Sequence, residues 1–128
     1  MAVINFTIPG RFESLNKYID VCRKNKYMAN AMKQRDQSMV ESIILECKYK
    51  TFEQPAFVHF KLYEKTKRRD VDNISGYGHK VIFDALVKAK VLRDDNWECV
   101  VGHTDTFEYD KENPRIEVYV WEAEDECR

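Results

Sequence analysis

Three short segments of this chain alternate apolar and polar residues with a period of two: Ile4, Phe6 and Ile8; Val58, Phe60 and Leu62; Ile116, Val118 and Val120. Successive side chains of a strand point to opposite faces, so each segment predicts a strand with one buried face. The strands are expected at 2–8, 56–63 and 115–121, with a fourth near Trp97–Val101. Pro9-Gly10, Gln54-Pro55, Asp94-Asp95-Asn96 and Glu112-Asn113-Pro114 punctuate them. Between strands the period changes. Met28, Met32, Met39, Val40, Ile43 and Cys47 form a core stripe of a helix over 27–47. Ile82, Ala85, Leu86 and Ala89 predict a second helix over 79–90, started by the breaker Ser75-Gly76-Tyr77-Gly78. Residues 11–26 read as an irregular basic stretch. The expected fold is α/β (α+β): a single mixed β-sheet of about four strands with two main helices. One domain is expected over residues 1–121, with a frayed acidic tail over 122–128.

Composition narrows the class. At 128 residues, 44% hydrophobic and 34% charged, with a mean hydropathy of −0.60, the chain suits one soluble domain. No apolar run reaches the roughly 18 residues of a membrane span, and no signal-type apolar region opens the chain. Cys22, Cys47, Cys99 and Cys127 contain no C-x-x-C pair and read as reduced thiols, so a cytoplasmic location is expected. His59, His79 and His103 share no zinc spacing with one another or with a cysteine pair. There is no P-loop, dinucleotide fingerprint or G-x-S-x-G, which leaves no nucleotide cofactor and no support for covalent catalysis.

The net charge of −1 hides an asymmetry. Residues 1–69 hold 14 Lys and Arg against 7 Asp and Glu, whereas residues 70–128 hold 7 against 15. That distribution fits a basic surface for a polyanion with carboxylates clustered elsewhere, or an uneven scatter of surface charge. The segment Lys61–Arg69, with five bases and one acid, runs straight into Asp70-Val71-Asp72. In extended chain these two carboxylates would project the same way, and a hard cation such as Mg²⁺ or Mn²⁺ would relieve their repulsion. Ordinary turn chemistry is the competing reading. Of Asp94 and Asp95, one is expected to reach the same cation and the other to face solvent or cap a turn. Three carboxylates around a metal suit phosphodiester hydrolysis. Lys80 has two readings: an exposed network with Asp84 and Lys88, or a first-turn cation beside the carboxylates.

Arg68-Arg69-Asp70-Val71-Asp72-Asn73, then Lys80-Val81-Ile82-Phe83-Asp84-Ala85-Leu86, then Leu92-Arg93-Asp94-Asp95, together resemble the RusA-type Holliday junction resolvases. These are small endonucleases typical of bacteria and prophages. Ile8-Pro9, Asn16, Tyr18 and the closing strand extend the resemblance over roughly residues 4–121. It implies a homodimer that resolves four-way junctions in DNA recombination and repair by paired symmetric nicks. It also implies Mg²⁺ (or Mn²⁺) held by Asp70, Asp72 and Asp95, with Lys80 as catalytic lysine. A nuclease for a wider range of branched DNA, or a junction-binding protein that does not cut, are the alternatives. The stretch Ile74–His79 is about four residues longer than the family pattern, and a loop there makes His79 a second candidate for the cationic role. Arg11, Lys17, Arg23, Lys24, Lys26, Lys65, Lys67, Arg68 and Arg69 are the expected DNA-backbone contacts. Phe12, Tyr18 or Tyr77 are the aromatic wedges considered for opened bases.

Overall fold

The computed structural model describes residues 3–47, 51–53 and 55–122, apart from the side chains of Asp72 and Asn73. The elements run in the order β1 (Val3–Pro9), α1 (Leu15–Lys24), α2 (Lys26–Glu46), β2 (Ala56–Glu64), α3 (Val71–Lys88), β3 (Val100–Tyr109) and β4 (Arg115–Glu122). One four-stranded sheet has the order β1-β4-β2-β3. β4 is antiparallel to both of its neighbours, and β3 is parallel to β2 at the edge. A parallel pair needs a crossover, which α3 supplies. The expected mixed α+β sheet is therefore present, with three helices rather than two.

The period-two pattern builds the core in rows across the sheet. Ile4, Val120 and Val58 form one row, Phe6, Val118 and Phe60 a second, and Ile8, Ile116 and Leu62 a third; all nine are buried. The helices close over this face. Val40 and Ile44 of α2 and Tyr77, Val81, Ile82, Ala85 and Leu86 of α3 complete the core. The first two rows continue onto β3 as His103 and Asp105, respectively, so polar groups stand where the apolar rows reach the sheet edge.

Four expectations change. Residues 15–24 form a helix because Ser14 caps it, its Oγ accepting from the Lys17 amide at 3.1 Å. Asn25 then closes α1 through its own N–H to the Val21 carbonyl and starts α2, its Oδ1 accepting from the amides of Tyr27 and Met28. α3 begins eight residues earlier than periodicity predicts. Ser75-Gly76-Tyr77-Gly78 is helical, and the glycines serve close packing rather than a break: a Cβ on Gly76 would meet Leu15 Cδ2 at 2.9 Å, and one on Gly78 would meet Phe12 Cδ2 at 3.1 Å. β3 covers 100–109, not 97–101; its residues beyond Val100 are partly or fully exposed, and Trp97 is 84% exposed. Met28 lies outside the core stripe at 62% exposure, while Met32, Met39, Ile43 and Cys47 pack against it. The tail expected after β4 lies outside the described residues beyond Glu122.

Candidate functional site

The basic segment expected to hold DNA leaves β2 at Glu64, whose carboxylate is buried. Arg11 donates to Glu64 Oε1 at 3.1 Å, and Arg69 lies 3.7 Å from the same oxygen while donating to the Phe12 carbonyl. A buried carboxylate requires such partners. Glu64 and Arg69 thus join the two ends of the loop and Arg11 braces it from the β1–α1 connection, an internal role beside the DNA contacts expected of these two arginines. Lys65, Lys67 and Arg68 stay at the surface between them, with Lys67 over the Tyr109 ring. Arg23, Lys24 and Lys26 are exposed at the α1–α2 corner, where Lys24 pairs with Asp20, and Lys17 is exposed in the first turn of α1.

Asp70 is the N-cap residue of α3. Its backbone is extended, its side chain makes no cap hydrogen bond, and its carbonyl accepts from the Ile74 amide. Its carboxylate is thus left for other partners at the positive end of a helix. Val71-Asp72-Asn73 is helical, so strand alternation does not relate Asp70 to Asp72 as the extended reading required. The Asp72 side chain lies outside the described ones.

Lys80 sits in the third turn of α3, not the first. The eight residues from Asp72 to Lys80 span about 12 Å along the axis. The expected Lys80–Asp84–Lys88 network is also replaced at its centre: Asp84 pairs with Lys33 of α2 at 2.5 Å. Tyr77 is fully buried, donates to Asp36 at 2.7 Å and is stacked by Tyr18, and Phe12 is also buried. Tyr77 and Phe12 cannot wedge into DNA.

The other carboxylates lie past the far end of α3. Lys90 takes a left-handed φ of 64°, which ends the helix, and buried Val91 and Leu92 anchor the chain beyond it. Asp94 is the turn residue: its Oδ1 accepts from the Asp95 amide at 2.7 Å and its Oδ2 from the Asn96 side-chain amide at 3.1 Å. Asp94 is therefore the member of the pair that caps the turn. Partial burial, then hydrogen bonding to Asp94 and the charges of Asp84 and Asp94, push the Asp95 carboxyl above the ordinary range. Asp84, Asp94 and Asp95 share a groove of about 420 Å³ with Lys33, Gln34 and Gln37.

Asp70 and Asp95 therefore stand at opposite ends of α3, whose 18 residues span about 27 Å. Within one chain they do not meet. Sequence spacing also misses two features. His103 and Asp105, at i and i+2 on β3, converge with His79 of α3, and Trp97 is exposed two residues beyond Asp95. An H-x-D pair on a strand is the available signal for the first.

A basic loop thus runs into the exposed Asp70, and further carboxylates crowd a second groove. The family model for endodeoxyribonuclease RusA matches residues 13–121, and the chain belongs to that family of nucleases. No curated protein matches it. Among the described residues no helix is long and apolar enough to cross a membrane.

Proposed function

We propose that this protein is a metal-dependent endodeoxyribonuclease that resolves four-way DNA junctions as a homodimer, its two active sites shared between subunits. The observation that carries this reading, alongside the family, is the placement of Asp70 and Asp95 at opposite ends of α3. Two copies with their α3 helices antiparallel about a twofold axis would bring Asp70 and Asp72 of each to Asp95 of the other. A closed twofold assembly makes two identical sites, which matches a substrate that needs two symmetric cuts.

The donor set suits Mg²⁺, a hard cation that takes carboxylate oxygens. Asp95, held above its ordinary ionisation range by burial and by its acidic neighbours, gains from a nearby cation, and the Asp70 carboxylate is not used in capping. When bound, the ion polarises the phosphoryl oxygen and lowers the pKa of its water. The chain supplies the rest. Lys65, Lys67 and Arg68 hold backbone phosphates beside Asp70, and the Glu64 clamp keeps their loop in place. Trp97, exposed beside Asp95, offers a stacking surface for an opened base. Lys80, on α3 between the two ends, meets phosphate rather than the carboxylates of its own chain.

The test uses a synthetic four-way junction against a linear duplex, with Mg²⁺ or EDTA. Junction-selective nicking that needs the metal and is lost in Asp70→Asn is expected; tight binding without nicking would make the protein a junction binder instead. Mixed dimers of Asp70→Asn and Asp95→Asn chains test the sharing. A shared arrangement restores one intact site and single-strand nicking, whereas sites confined to one chain give none.

A further inference from the structure

We infer that His79, His103 and Asp105 form a binding site for a zinc-type transition-metal dication, separate from the carboxylates at the ends of α3. One imidazole nitrogen from each histidine and one Asp105 oxygen lie within 4.8 Å of one another. Zinc holds such ligands at about 2.0–2.2 Å, so neighbouring ligand atoms around it sit roughly 3 Å or a little more apart. Side-chain adjustments of about an ångström or two close the set.

The site is built by the fold. Register places His103 beside Val58 and Asp105 beside Phe60, on the helix-covered face of the sheet, and α3 brings His79 over them. His79 Nε2 is already 2.7 Å from Asp105 Oδ1. Phe60 and Phe83 wall the cluster, with ring centroids 4.6 Å (Phe60–His79) and 5.7 Å (Phe83–His103) away. The wall keeps water off one side, while His103, exposed on the edge strand, leaves the other side open. Two imidazoles and one carboxylate are the ligands of zinc and its neighbours; Mg²⁺ prefers oxygen alone. Three protein ligands with an open fourth position also make a site able to exchange a water or an anion. Asp70 lies nine residues before His79, about 13 Å along α3, so this ion is not the one the Asp70 carboxylate would hold.

The experiment is calorimetric titration of the full-length protein with Zn²⁺ in excess Mg²⁺, together with the absorption spectrum of the Co²⁺-substituted protein. Expected are one equivalent of Zn²⁺, a cobalt d–d band without sulfur charge transfer, and a Zn²⁺-dependent rise in Tm. His103→Ala removes an exposed side chain and should weaken Zn²⁺ binding by more than about 100-fold, beyond the usual loss for an outer hydrogen-bond partner. Asp105→Asn keeps the shape and a hydrogen bond to His79, and should weaken binding without unfolding the chain. Equal affinity in both variants and the parent, a sulfur band reporting the cysteines, or no stoichiometric binding would each overturn the assignment. In the last case the cluster is only a His–Asp hydrogen bond beside two phenylalanines. DNA cleavage is not read, so a failed nuclease assignment leaves this test intact.

Discussion

Gly76 shows how a single residue misleads pattern reading. In a helix, Gly→Ala ordinarily stabilises by about 1 kcal/mol. Here the added Cβ meets Leu15 Cδ2 at 2.9 Å, and the steric cost of overpacking is typically about 1–3 kcal/mol. Gly76→Ala is therefore expected to give little or none of that gain in urea unfolding, since Leu15 must shift to admit the methyl group. A second residue-scale case lies on the opposite face of the sheet, where Arg115 reaches Asp110 and Glu117 and stacks 3.6 Å from the Tyr63 ring. Burial works to raise the Glu117 carboxyl, but the Arg115 guanidinium and the hydroxyls of Tyr119 and Tyr63 outweigh it and hold the group low. A depressed acid stabilises the fold above its unfolded pKa, and that stability is lost as pH falls through the folded one. Unfolding free energy should thus drop on the acid side, and Glu117→Gln should flatten that fall while lowering stability at neutral pH. A parallel acid slope in the variant would refute the assignment.

Among the elements, those legible in the sequence carry their apolar residues in register with their period. β1, β2 and β4 belong here, since one face of each is buried against the helices. α1 does not, because its short apolar face of Leu15, Tyr18 and Cys22 is only partly buried and set among basic residues, and the Ser14 cap that starts it leaves no periodic signal. The first turns of α3 hide behind two glycines whose role is close packing. β3 is obscured for the opposite reason: an edge strand exposed along most of its length loses the alternation. Asn25 serves both sides of one corner, so Asn25→Ala should cost about 1 kcal/mol in thermal or urea unfolding. Asn25→Ser, which keeps a cap acceptor, should recover most of it. Of the site, the acidic residues are legible by type and order, but their separation is not. Spacing along the chain does not say that a helix holds Asp70 and Asp95 apart, nor that β3 folds His103 and Asp105 back onto His79.

For the molecule as a whole, nearly neutral net charge conceals a division of labour. Arg11 and Arg69 are used internally on Glu64, while Lys65, Lys67 and Arg68 are exposed. Junction affinity should fall steeply with salt. Alanine at Lys65, Lys67 and Arg68 should reduce the slope of log K against log salt by about one unit per lost phosphate contact. Substitution of Arg11 should instead lower stability with little change in that slope. Equal slopes in the triple variant and the parent would move the DNA surface elsewhere, with the α1–α2 corner the next place to look.

The length of α3 has one more consequence. In a twofold dimer with α3 helices side by side, each helix is a ruler with one set of carboxylates at each end. The stagger between the two cuts is then read off a rigid rod rather than set by flexible loops. Removing or adding one helical turn would change that gauge by about 5.4 Å without touching a catalytic group. On the proposed dimer, the distance between incisions would be written in the number of residues between Asp70 and Asp95.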